Sequence, residues 1–392
     1  MVIVATMQLN RDEEAILAGE KGEGGRKAME LLVALGDIYE AERLVPISSA
    51  HLSGVSYKTI GEGGIGLLEE MSDARVCVPT TLNPPGMDRE RWAEMGISPR
   101  FADRQRHIIE CYERLGVTSD CSCTPYLGTN IPKRGQHLAW AESSALSFAN
   151  SAIGARTNRE GGPGALAAAI IGKTPEYGLH IEANRAPAVV IEVEGEGIDY
   201  SMLGQAAGAI AGARIPYFRG IRPTTDQLKT LAAAMAASGS VAMFHVDGIT
   251  PEAGSYSISG LERVAVGRKE MDAARERVNT GSDPELVAFG CPHLSADEIR
   301  QLAAMLKGRS RQGDAEVWFC TSRHTLASCP KEAKELERFG KLVCDTCMVV
   351  TPIEERFKCT ATNSGKACNY LATLCSQKVV FRDTKGLVEL IS

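Results

Sequence analysis

Aromatic side chains are scarce in this 392-residue chain, at 5%, and there is no basic excess. Lys and Arg number 43 against 49 Asp and Glu, a formal net charge of −6. No basic stripe exists to neutralise a phosphate backbone, which excludes a nucleic-acid binder and favours small molecules as partners. No apolar run approaches the ~20 residues that a membrane span requires. The start, Met-Val-Ile-Val-Ala-Thr-Met-Gln, turns acidic at Asp12, Glu13 and Glu14. It lacks the basic opening and longer apolar stretch of a secretory signal, so a cytoplasmic protein is expected. There is no disordered tract and no internal repeat; 44% hydrophobic and 23% charged residues describe a folded chain. The length predicts two or three lobes.

What the chain does have is alternation. Residues 12–45 carry apolar residues at spacings of three and four, interrupted by Gly22-Glu-Gly-Gly, and predict two helices and a turn. Beyond them, short apolar runs at 75–79, 116–119, 188–193, 241–246, 285–289, 316–319, 342–343 and 379–381 predict strands. Helical patterns at 142–150, 165–171, 202–213, 225–237, 296–306 and 365–374 lie between them. Such alternation signals parallel α/β sheets. Turn-rich stretches near Gly195-Glu-Gly-Ile and Gly281-Ser-Asp-Pro divide the chain into lobes at 1–194, 195–284 and 285–392.

Glycine patterns are less telling than they look. Gly61-Glu-Gly63-Gly-Ile-Gly66 has the spacing of a dinucleotide fingerprint, but the preceding His51-Leu-Ser-Gly-Val-Ser-Tyr-Lys-Thr is small and polar and does not read as a buried strand. Ser364-Gly-Lys366 resembles the end of a P-loop, yet Ala367 replaces the magnesium-holding hydroxyl. Thr157-Asn-Arg-Glu-Gly-Gly-Pro-Gly164 runs into a helix, and free N–H groups beside Arg159 offer an anion site or an ordinary cap.

Twelve cysteines in a reducing compartment call for metal, cluster or core packing rather than disulfides. Cys123, Cys291 and Cys347 each sit where a loop should follow a strand, which is where ligand sites gather in open α/β sheets. Cys291 is followed by Ser295-Ala-Asp-Glu298, a capping box that places the thiol just before a helix N-terminus. Three distant single cysteines suit an iron-sulfur cluster with one open iron, a Lewis acid able to take a hydroxyl. A rival arrangement uses Cys121, Cys123, Cys344 and Cys347 as a zinc site, making the chain a scaffold or binding subunit. The cysteines at 77, 111, 320, 329, 359, 368 and 375 lie in or beside apolar runs and read mostly as core.

The segments Ser49–Tyr57, Pro79–Pro84, Cys123–Tyr126, Trp140–Ser144, Gly154–Asn158, Gly290–His293, Asp345–Cys347 and Asn363–Lys366 resemble, in order and along the whole chain, the aconitase X large subunit. The resemblance implies an aconitase-like arrangement of three α/β lobes around an iron-sulfur cluster, of 4Fe-4S type, with Cys123, Cys291 and Cys347 as ligands. It also implies a separate small subunit equivalent to the aconitase swivelling domain, which supplies the catalytic serine, so that no residue here is assigned as the base. Family members dehydrate either (R)-5-phosphomevalonate, in an archaeal-type mevalonate pathway, or cis-3-hydroxy-L-proline. Thr157–Pro163 and Ile171–Gly178 are similar to the phosphomevalonate branch, and the anion site then has a candidate ligand. By the same resemblance Gly54, Val55, Ser56, Asn83, Pro84, Glu142, Ser143, Lys173 and Ser364 line the substrate pocket. On the residues alone the plainer readings win, with Ser143 a small helix residue, Glu142 a solvated first-turn carboxylate and Lys173 a C-terminal helix charge; the motif match reverses this for the set. His51, His137 and His293 flank the motifs and receive no catalytic role.

Overall fold

The computed structural model describes residues 7–392. Three separate parallel sheets organise the chain. In the first, Ser49–Leu52 lies between Thr80–Leu82 and Leu138–Trp140, with His51 beside both Thr81 and Trp140. The apolar helix Gly162–Ile171 packs on this sheet and against Glu23–Ile38, burying Ala28, Leu32, Ala165 and Ala168. A short antiparallel ribbon, Leu44–Pro46 with Lys173–Pro175, flanks it.

In the second sheet the order is His245–Val246, Pro216–Arg219, Val189–Val193, Glu262–Val266. Two helices, Tyr200–Ala211 and Thr225–Ser238, press together nearby. A Cβ added at Gly204 would meet Ala234 Cβ at 2.5 Å, so the small residues of this stretch exist to let the helices approach. Strand Val189–Val193, expected at the end of the N-terminal lobe, pairs inside this second sheet.

The third sheet runs Lys341–Cys344, Glu316–Thr321, Leu286–Phe289, Cys359–Thr362, Lys378–Phe381. Its connections reverse direction at the central strand Leu286–Phe289, and the crevice beyond that strand's carboxyl end is the usual ligand position in such sheets. One apolar core, including Trp140, Phe218 and Trp318, joins all three lobes.

The α/β expectation holds, and helices Ala296–Leu306 and Gly365–Leu374 match their predicted bounds. Other elements differ. The glycine-rich 61–66 stretch lies inside helix Tyr57–Glu70, kinked at Gly61, and is no phosphate loop. The segment at His51, too polar to read as a strand, is a fully buried central strand in which Thr81 Oγ1 takes up one imidazole nitrogen, Nδ1, at 2.8 Å. Residues 75–79 form no strand, and 116–119 contribute only a single bridge from Thr118 to Thr81. Among the described residues no helix is long and apolar enough to cross a membrane.

Candidate active site

Each of the three cysteines is delivered by a constrained loop. Gly290, at φ 93°, ends the central strand of the third sheet, and a Cβ there would strike the Cys320 carbonyl at 2.1 Å. Only glycine lets the chain turn and present Cys291. Asp345 adopts φ 64° directly after the edge strand Lys341–Cys344, held by Arg89 at 3.2 Å and Arg323 at 2.8 Å, and so turns Cys347 inward. Cys123 follows Ser122, whose N–H donates to the Leu82 carbonyl at the end of the first sheet.

These loops meet. Cys123, Cys291 and Cys347 are all buried and all line one cavity of about 250 Å³. The closeness of the Cys291 and Cys347 thiols holds Cys347 below the usual thiol range and Cys291 above it. Burial pushes Cys123 up to about 12, while the His293 N–H donates to its sulfur at 3.2 Å. Cys121 and Cys344 do not line the cavity: Cys121 donates to the Ser119 carbonyl, and the Cys344 N–H donates to Asp88. The pairs therefore split, one thiol of each facing the cavity. Among the described residues no three metal-binding side chains gather around one point, which overturns the four-thiolate zinc arrangement.

Opposite the thiols stands a buried ion pair. Glu142 caps helix Ser143–Phe148, accepting from the Ala145 N–H and the Ser144 hydroxyl, both at 2.6 Å. Lys366, in the first turn of Gly365–Leu374, reaches across from the third lobe to Glu142 and to Ser144 Oγ at 3.1 Å. Burial opposes both charges, but each supports the other: the Glu142 carboxyl is held below, and Lys366 above, its ordinary value. Arg159 and Glu160 add a further wall from the glycine-rich segment before helix Gly162–Ile171, whose first turn has no side-chain cap. Val349, Val350, Pro84, Tyr370 and Leu374 supply the apolar surface.

Of the residues expected in the pocket, Gly54, Asn83, Pro84, Glu142 and Ser143 line this cavity. Val55, Ser56, Ser364 and Lys173 do not. Val55 is in the first-lobe core, and its carbonyl accepts from Gln105. Ser56 and Ser364 serve as N-caps, with Ser56 Oγ also donating to the Val350 carbonyl at 2.8 Å and so holding that wall. Lys173 sits on the flanking ribbon and pairs with Glu13 at 2.7 Å. Lys366 was missed as a pocket residue although its motif was noted. Its partner lies 224 residues earlier, a distance no local pattern reports.

Models of the aconitase X first, second and third domains match residues 6–183, 187–276 and 284–391. The chain belongs to the aconitase X family. It is 49% identical to the phosphomevalonate dehydratase large subunit of Methanothermobacter thermautotrophicus, over 98% of this chain and 99% of that one. The phosphomevalonate dehydratase large subunit of Methanocaldococcus jannaschii is 47% identical, over 98% and 100%. The crystal structure of Thermococcus kodakaraensis aconitase X in its holo-form superposes with a TM-score of 0.91 at 43% identity, covering 98% of this chain and all of that one. A cis-3-hydroxy-L-proline dehydratase of Pseudomonas aeruginosa is 36% identical over 97% of this chain and 69% of its own. The aconitase-like α/β fold expected from the resemblance is the fold observed.

Proposed function

We propose that this chain is the large subunit of a hydro-lyase that converts (R)-5-phosphomevalonate to trans-anhydromevalonate 5-phosphate. Cys123, Cys291 and Cys347 hold an iron-sulfur cluster, of 4Fe-4S type, and a small subunit resembling the aconitase swivelling domain completes the site. One observation carries the reading: three thiols from three distant segments open on one cavity that also holds Lys366, Glu142 and Arg159. Thiols spread around a cavity suit a cluster, in which each thiolate has its own iron, rather than a single ion. The names of the 47–49% identical relatives support the substrate.

The reaction removes a proton from the carbon beside the carboxylate and the hydroxyl from the next carbon, leaving a double bond between them. When bound, the cluster supplies a Lewis-acid iron for the hydroxyl side of this elimination. Lys366 offers a fixed ammonium to the carboxylate, where negative charge builds as the proton leaves. Glu142 and Ser144 hold that ammonium in place and keep it charged. Arg159, beside the uncapped N–H groups of helix Gly162–Ile171, fits the phosphate at the other wall. Pro84, Val349 and Val350 shed water from the reacting carbons, and the base belongs to the small subunit.

The 36% identity to a cis-3-hydroxy-L-proline dehydratase gives a second reading, in which Arg159 would have no phosphate to bind. Turnover of both compounds by the two-subunit enzyme separates them. The proposal expects phosphomevalonate to be preferred by at least ~100-fold in kcat/KM, the value of one well-placed guanidinium–phosphate contact. Equal or reversed preference would sink it.

A further inference from the structure

His293 touches all three cysteine segments at once. It lies two residues beyond Cys291, its N–H donates to Cys123 Sγ at 3.2 Å, and its ring meets the Thr346 carbonyl, next to Cys347, through Nε2 at 3.0 Å. A carbonyl only accepts, so Nε2 carries the proton, in keeping with a buried Nδ1 that has no partner. What fixes His293 itself comes from another lobe. Lys229, on helix Thr225–Ser238, is 1% exposed and donates to the His293 carbonyl at 3.1 Å. Its ammonium also pairs with Glu298 and, at 3.5 Å, with Asp226. Asp226 in turn accepts from Ser295 Oγ at 2.9 Å, and Glu298 accepts from the Ser295 N–H at 2.9 Å. The loop 291–295 is thus gripped at two points by one buried cation and its counter-ions. Lys229 does not line the cavity, so substrate contact does not explain it.

We infer that Lys229 is a positioning residue for the three-cysteine site, acting through His293 to set the spacing of Cys123, Cys291 and Cys347. The inference rests on the cluster reading of those cysteines. A lysine is suited to the task because three donors on one nitrogen can serve a carbonyl and two carboxylates together. Its burial without substrate contact would otherwise be an expensive way to fill space.

The test is anaerobic reconstitution with iron and sulfide, followed by the rate of iron loss to a chelator and, after one-electron reduction with dithionite to the paramagnetic state, the electron paramagnetic resonance line shape. Lys229→Met with Glu298→Gln removes the cation without leaving its main counter-ion stranded, and circular dichroism of the metal-free protein checks the fold. The inference expects iron loss to accelerate by roughly tenfold or more, the effect of one hydrogen bond from a charged donor, with an altered line shape. Asp226→Asn, which only loosens the grip on Lys229 and Ser295, should give a smaller acceleration in the same direction. Wild-type release in both variants would overturn the inference. Wild-type protein that takes up no iron, or Cys291→Ser that retains it, would instead overturn the cluster reading beneath it.

Discussion

Replacing Lys366 by Met should uncouple the first and third lobes at the site. The ammonium and the Glu142 carboxylate are 9% and 5% exposed, and removing one partner of such a pair typically costs ~3–5 kcal/mol. Glu142 keeps two donors, Ser144 Oγ and the Ala145 N–H, so the lower end, about 3 kcal/mol, is expected. Three lobes make a single unfolding midpoint a poor measure, whereas amide hydrogen exchange reads the local loss directly. In the metal-free chain, protection of helices Ser143–Phe148 and Gly365–Leu374 should fall by roughly two orders of magnitude. Adding Glu142→Gln removes the stranded charge and should restore most of the loss, about 2 kcal/mol of it. Unchanged exchange in Lys366→Met would refute the argument. So would a double variant as damaged as the single, since lost packing rather than charge would then be responsible.

Arg159→Ala in the two-subunit enzyme should raise KM for phosphomevalonate by about 100-fold with little change in kcat, because a phosphate contact binds ground and transition states alike. Lys173→Ala should leave both constants within about twofold, its partner being Glu13 on the flank; a tenfold rise in KM would return Lys173 to the pocket. His180 meets His137 Nδ1 to Nδ1 at 2.9 Å, and burial lowers its pKa to about 3. A depressed histidine stabilises the fold above the unfolded pKa of ~6.5, and that stability is lost as pH falls below it. Between pH 7.5 and 5, about 2 kcal/mol of the lost stability should vanish in His180→Gln, measured by denaturant unfolding monitored in the first lobe. An identical pH profile in that variant would show that His180 titrates alike in the folded and unfolded chain, and so that its pKa is not depressed.

The fold class was legible because strand and helix periods alternate cleanly in the second half. Ser295 announces its helix by a capping box, and the apolar spacing behind it does the rest. The first lobe resisted reading. Its central strand is Ser-Ala-His-Leu, which becomes apolar in effect only once Thr81 takes up His51. Helix Tyr57–Glu70 contains four glycines and stands because Ser56 caps it and Ile65 and Leu68 are buried. Within the site, the three cysteines could be picked out as loop residues after sheet strands, although only Thr118 in the run before Cys123 pairs with the sheet. The roles of Lys366, Lys229 and His293 were not legible, because each depends on partners in other segments that only the packed lobes bring within reach.

The most direct test of the central claim is to purify this chain anaerobically with its small subunit and follow (R)-5-phosphomevalonate by NMR, for the wild type and for Ser at Cys123, Cys291 and Cys347 in turn. The account predicts trans-anhydromevalonate 5-phosphate from the wild type and none from any of the three variants, while Cys329→Ser, at a buried position away from the cavity, remains active. Full turnover by a variant lacking one of the three cavity thiols, or no turnover by a wild type carrying iron and sulfide, would contradict it.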